Sequence, residues 1–168
     1  MTKLYFEDAD ALSGSADGPV TVHRSLKWTA GGAVRNEVYR WRPELAEAAA
    51  VRRWLADADG PPAGFAARLL ALLPADAPIL LLEVTAEGSA RRSFDLNLYG
   101  LERTIGEMAQ EIAAMVMPLG VTADRLRPWL ARWGRARLGH VSGGVGADGL
   151  PFGTLYYGIS ARRGAGVG

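Results

Sequence analysis

The stretch GHVSGGVGADGLPFGTLYYG (Gly139–Gly158) decides how the chain is built. Gly144, Gly146 and Gly149 spell G-x-G-x-x-G, the pattern of a dinucleotide-cradling loop. Such a loop needs a helix to open straight after it, because the free N–H groups of that helix hold the pyrophosphate. Here Leu150-Pro151 follows, and then a β-type run rich in Phe and Tyr. The glycines therefore mark a hairpin bend, with Asp148-Gly149 at a turn where glycine tolerates positive φ. The two arms are RLGHVSGGV (Arg137–Val145) and FGTLYYGIS (Phe152–Ser160). No G-x-x-x-x-G-K-[ST] occurs in the sequence, so nothing else points to a nucleotide loop.

Working outward, two more hairpins have the same construction. VTVHRSLKW (Val20–Trp28) and VRNEVYRW (Val34–Trp41) alternate apolar with polar residues across TAGGA. ILLLEVTA (Ile79–Ala86) and RSFDLNLY (Arg92–Tyr99) flank Glu87-Gly88-Ser89, and KLYFE (Lys3–Glu7) offers an edge strand. Helical patterns fill the gaps. Glu44 to Asp57 follows Pro43, and Phe65, Leu69 and Leu72 mark a second helix. Thr104-Ile-Gly-Glu107 is a capping box, opening a helix with Ile105, Met108, Ile112 and Val116 on one face. Thr122 is placed to cap the last helix, whose stripe is Leu126, Trp129, Leu130 and Trp133. Turn centres near Gly31, Gly88 and Asp148 recur at a steady spacing, so one hairpin plus two helices is the repeating unit. The expected fold is α+β: an antiparallel sheet of three β-hairpins, six or seven strands, with two helix pairs on one face and a polar opposite face. Residues 1–160 form one domain in this account, and 161–168 a disordered tail.

Composition narrows the function classes. The chain has 168 residues, 49% of them hydrophobic and 22% charged, with a formal charge of +1. That leaves no global field to attract nucleic acid or an anionic membrane. The absence of Cys removes disulfides, thiolate catalysis and Cys-based metal sites. Two histidines, His23 and His140, are too few for a His-rich centre, so no metal or cofactor is expected, with a carboxylate-only metal site as the open alternative. The apolar run Ile79–Leu82 is far too short for a membrane span, and the acidic N-terminus lacks a signal-peptide core. A cytoplasmic location is the default expectation. The basic stretch RLRPWLARWGRAR (Arg125–Arg137) suggests nucleic acid at first sight. Trp129 and Trp133 share the apolar stripe of a helix, however, which leaves the arginines as its wet side and makes a nucleic-acid partner unfavoured.

Strand parity then sorts side chains by face. His23, Lys27, Asp95, Asn97, Tyr99, His140, Ser142, Thr154 and Tyr156 gather on the polar side, with Glu83 expected to join them. An exposed sheet face carries solvated side chains in most proteins, and that is the plain alternative. The mix of two His, phenolic rings, a Lys and carboxylates is the kind from which concave ligand sites are made.

Hairpins separated by helix pairs at this period resemble the αββα repeats of the ABBA-type aromatic prenyltransferases. Pro151-Phe152-Gly153-Thr154-Leu155-Tyr156-Tyr157 is similar to that family's late-strand run P-[YF]-x-[ST]-x-Y-[YF]. The resemblance implies an antiparallel barrel whose polar lumen holds an aromatic acceptor and an isoprenoid diphosphate. The family uses five repeats and this chain has residues for about three, so the sheet either stays open or closes against a second copy in a homodimer. By the resemblance, Lys27 with Arg35 or Arg92 would hold diphosphate, and Tyr99 and Tyr156 would shield an allyl cation. Glu83 or His140 would take the acceptor's proton. Asp95, Asn97 and Ser142 complete the expected substrate-binding set. Each has a structural alternative: the tyrosines as cross-strand pairs, His140 as a hydrogen-bonded sheet residue, Lys27 as plain surface. Two functions follow, a small-molecule enzyme or binder acting on an aromatic or isoprenoid-like ligand, and a non-catalytic assembly protein docking a partner through its sheet.

Overall fold

The decisive stretch is a hairpin in the computed structural model, which describes residues 2–7, 11, 17–28, 30–32, 34–58, 60–74, 77, 79–86, 92–146 and 148–158. Its turn is closed by Gly146 N–H donating to the Leu150 carbonyl at 2.8 Å and Gly149 N–H donating to Gly146 at 3.1 Å. Gly149 takes φ 77°, where a Cβ would be strained, and the Asp148 carboxylate accepts the Leu150 N–H at 3.1 Å.

The chain order is β1 (Thr2–Glu7), β2 (Val20–Trp28), β3 (Arg35–Trp41), α1 (Ala48–Ala56), α2 (Pro61–Leu70), β4 (Leu81–Ala86), β5 (Arg92–Asn97), α3 (Ala109–Val116), α4 (Ala123–Trp133), β6 (Leu138–Val145) and β7 (Pro151–Tyr157). The strands form one seven-stranded sheet in sequence order, each antiparallel to the next. This is the α+β architecture of hairpin, helix pair, hairpin, helix pair, hairpin, with β1 as an added edge strand. The expected turn at Glu87-Gly88-Ser89 and the tail 161–168 lie outside the described residues.

The helices begin where local chemistry allows. Pro61 and Pro62 occupy the first positions of α2, where their missing N–H groups cost nothing. The capping box forms: the Glu107 carboxylate accepts the Thr104 N–H at 2.8 Å, and the Thr104 hydroxyl accepts the Glu107 N–H at 3.3 Å. It closes the turn that leads into α3, whose regular part starts later, at Ala109. The expected Thr122 cap is not made by its side chain. Its carbonyl instead accepts the first bonds of α4, from Arg125 and Leu126.

All four helices contribute to one apolar cluster. Val51 and Leu55 of α1, Phe65 and Leu69 of α2, Ile112 and Met115 of α3, and Leu126 of α4 meet Leu81, Phe94, Leu96 and Val141 of the sheet. The register puts those four strand residues on a single face. The sheet and α2 approach closely at Gly143, where a Cβ would stand 2.2 Å from the Pro62 Cβ, so a larger residue would displace the helix. No helix among the described residues is long and apolar enough to cross a membrane.

The face away from the helices differs from the simple polar expectation. A bulge between Thr21 and His23 inserts Val22, which breaks the alternation of β2 and brings Val20 and Val22 to the same side as His23. On β4 the apolar run cannot show its parity, because both of its faces are covered. Leu82 and Val84 turn out to lie with Asp95 and Ser93, away from the helices, and form a second cluster with Val22 and Tyr39. Trp41 and Ala11 pack against it.

Candidate functional site

The sheet curls toward this second face. Lys27 of β2 and Arg35 of β3 line one hollow of about 510 Å³ together with Gly146, Asp148, Leu150 and Phe152 of the β6–β7 hairpin. In a flat sheet, β2 and β7 would stand about 24 Å apart. Lys27, Arg35 and Phe152 belong by register to the helix-free face, so that face is the concave one.

At the β5–β7 end of the concavity, Asp95, His140 and Ser142 converge. Ser142 is the cross-strand partner of Asp95, and His140 stands two residues away along β6, on the same face and opposite Asn97. The Asp95 carboxylate bonds His140 Nδ1 through Oδ1 at 2.8 Å and accepts the Ser142 hydroxyl at Oδ2 at 2.6 Å. An ionised carboxylate only accepts, so a neutral imidazole in this contact carries its proton on Nδ1 and its lone pair on Nε2. The pair is sheltered without being sealed, with His140 27% and Asp95 13% exposed. The Tyr99 ring meets the imidazole edge-to-face at 4.9 Å, and the Tyr156 ring approaches it at 5.9 Å. Burial, helped by the Asp95 charge, pushes the Tyr99 phenol above its usual value, so it stays neutral. Asn97 serves the frame: its side-chain oxygen accepts the Tyr99 N–H at 2.9 Å and fixes the turn that presents the ring.

This arrangement is not a nucleophilic triad. There the imidazole stands between hydroxyl and carboxylate, whereas here Asp95 stands between Ser142 and His140, so Ser142 is not activated. What remains is a carboxylate–imidazole dyad with an outward Nε2, able to take or give one proton.

Asp95, Asn97, Tyr99, His140, Ser142 and Tyr156 are thus brought together, while Lys27 and Glu83 are not. Lys27 lies toward the other end of the concave face, on the order of 25 Å from His140 along the strand direction. Glu83 pairs in register with Phe94 and Arg40, putting it on the helix-side face, where it bridges Arg42 at 3.6 Å. Its expected place beside His140 does not hold, because β4 turns Leu82 and Val84, and not Glu83, toward Asp95 and Ser93. Thr154 stands across from Ser142, exposed.

A second polar group occupies the β2–β3 end. Glu37, 1% exposed, accepts the Ser25 hydroxyl at 3.2 Å and the Tyr39 hydroxyl at 3.4 Å, with Lys27 Nζ at 3.9 Å. His23 stands edge-on to Tyr39, and its Nδ1 is buried with no hydrogen-bond partner among the described residues. Glu37 and Tyr39 escaped the sequence, since β3 mixes polar and apolar residues on both faces. Their one signal is their spacing with Trp41, two residues apart each time.

Among the described residues no group of three or more His, Asp or Glu is placed to hold a metal ion. Trp129 donates its indole N–H to the Tyr157 hydroxyl at 3.2 Å, and the Trp133 ring also lies against Tyr157. Comparison of the chain with protein families, curated proteins and solved structures finds no match.

Proposed function

We propose that the concave face binds a small aromatic or isoprenoid-like molecule at its β5–β7 end, where His140 exchanges a proton with it. The observation that supports this most is the dyad: a partly buried imidazole with one nitrogen held by Asp95 and its ring flanked by Tyr99 and Tyr156. Aromatic walls suit a flat or electron-poor ligand, and an Nδ1-anchored imidazole suits a phenol or a similar weak acid.

Prenyl transfer is the extended form of this proposal. A bond would form between the acceptor and the allylic carbon, the C–O bond to diphosphate would break, and the acceptor's proton would pass to Nε2. Lys27 and Arg35 are too far from His140 for a short isoprenoid to reach both ends, so its diphosphate would have to be held by other groups. Incubation with dimethylallyl or geranyl diphosphate and a panel of phenols, indoles and hydroxybenzoates, read by mass spectrometry, tests it. The expected result is a prenylated product lost in His140→Ala. Ligand binding without product leaves a binding protein, and neither binding nor product overturns the proposal.

One observation favours docking of a protein partner instead. On the helix-side face, Phe6, Leu26 and Val38 with Arg24 and Arg40 line a groove of about 660 Å³. Leu4 and Phe6 are 51% and 56% exposed. An edge strand with apolar side chains is where a further strand or helix from another chain, a second copy included, would add.

A further inference from the structure

We propose that Ser142 is a positioning residue: its hydroxyl fixes the Asp95 carboxylate so that His140 keeps its proton on Nδ1 and its lone pair on Nε2. This rests on the proton exchange assigned to His140 above, and it removes Ser142 from the groups that would touch a ligand.

The register carries the inference. The neighbour directly across from Asp95 is Ser142, while His140 lies on the diagonal. A diagonal pair is within reach of a long side chain but is not imposed by the ladder. A carboxylate turns about its last torsion with little preference, since that torsion has broad wells. Asp95 therefore needs a second anchor to keep Oδ1 on the imidazole, and the 2.6 Å bond from Ser142 to Oδ2 is that anchor. No other contact among the described residues does this. Among the described residues the other groups facing His140 are Tyr99, from the turn after β5, and Tyr156 of β7, and both meet the imidazole as rings. Neither ring contact distinguishes Nδ1–H from Nε2–H, so the tautomer depends on Asp95 alone.

The experiment reads the ring directly. In protein labelled with ¹⁵N-histidine, at a pH well above the ordinary imidazole range, long-range ¹H–¹⁵N spectra separate the two tautomers. His23→Gln assigns the signals, as His23 is the other histidine in the chain. Wild-type protein is expected to show His140 as a single Nδ1–H tautomer. Ser142→Ala is expected to show both tautomers, approaching the mixture seen in Asp95→Asn, and Ser142→Thr, which keeps the hydroxyl, to restore the single form. Ser142→Cys keeps the shape with only a weak donor, so it is expected to be mixed, and it stands in if the Ala variant does not fold. A wild-type spectrum in Ser142→Ala or Ser142→Cys, or failure of Ser142→Thr to restore it, overturns the inference. The spectra need no turnover, so lack of any reaction would count against the proposed function and leave this result standing.

Discussion

The two ends of the concave face hold similar chemistry in opposite states. At the β2–β3 end a carboxylate is almost wholly buried, with two hydroxyls on it and an ammonium 3.9 Å away. At the β5–β7 end a carboxylate spends its oxygens on Ser142 and His140, and the imidazole behind it still reaches solvent. The first arrangement holds the sheet together, because breaking it strands polar groups away from water. The second, in the proposed function, holds a side chain ready, and its partial exposure predicts the smaller contribution to stability. On the proposed function, polar residues on one face thus divide into a structural and a chemical set by burial, and not by residue type.

Mutation should separate the two. Glu37→Ala leaves the Ser25 and Tyr39 hydroxyls and the Lys27 ammonium without their shared acceptor, and is expected to cost about 3 kcal/mol in urea unfolding. A loss near zero would erase the distinction between the ends. Gly143→Ala acts behind the chemical end. Its methyl group would enter the space of Pro62, and a cost of about 2 kcal/mol is expected from the displaced α2. Measured by thermal melting, a neutral result would mean that α2 is not seated against β6. His140→Ala is expected to cost less than about 1 kcal/mol while abolishing proton exchange with the ligand. A stability loss matching that of Glu37→Ala would make the dyad structural too.

The smallest effect sits at the capping box ahead of α3. The Thr104 N–H, then its hydroxyl, hold the Glu107 carboxyl below the ordinary carboxylate range. A carboxyl lowered on folding stabilises the native state above the unfolded-chain value, and that help fades as pH falls through the lowered folded value. Glu107→Gln should therefore be slightly less stable than wild type at neutral pH and equal to it in strong acid. Unfolding curves across that range check the convergence, and a gap that persists in acid would assign the effect to helix propensity.

The hairpins and the helix pairs were legible because they rest on local rules, period-two alternation, Gly-rich turns and apolar stripes, whereas helix starts were less so: Pro43 opens a separate short turn and α1 begins only at Ala48. The β5–β7 cluster was legible in part: RSFDLN and GHVSG alternate cleanly, so parity puts Asp95, His140 and Ser142 on one face, and the β5–β6 register, which the sequence does not show, brings them into contact. Parity failed where its physical basis was missing. On β4 both faces are covered, which hid the side taken by Glu83, and on β2 the bulge at Val22 shifted the alternation. The curl of the sheet was not legible at all. It arises from long-range coiling and draws Lys27 toward Phe152, whereas the distance from Lys27 to His140 is set by register along the strands.

Chemical-shift mapping with a phenol and geranyl diphosphate, added separately and together, tests the central contrast most directly. Shifts concentrated at Asp95, Tyr99, His140 and Tyr156, with Ser25, Glu37 and Tyr39 unmoved, are the predicted result. Shifts centred on the Glu37 group or on the Phe6–Val38 groove, or none at saturating ligand, would contradict it.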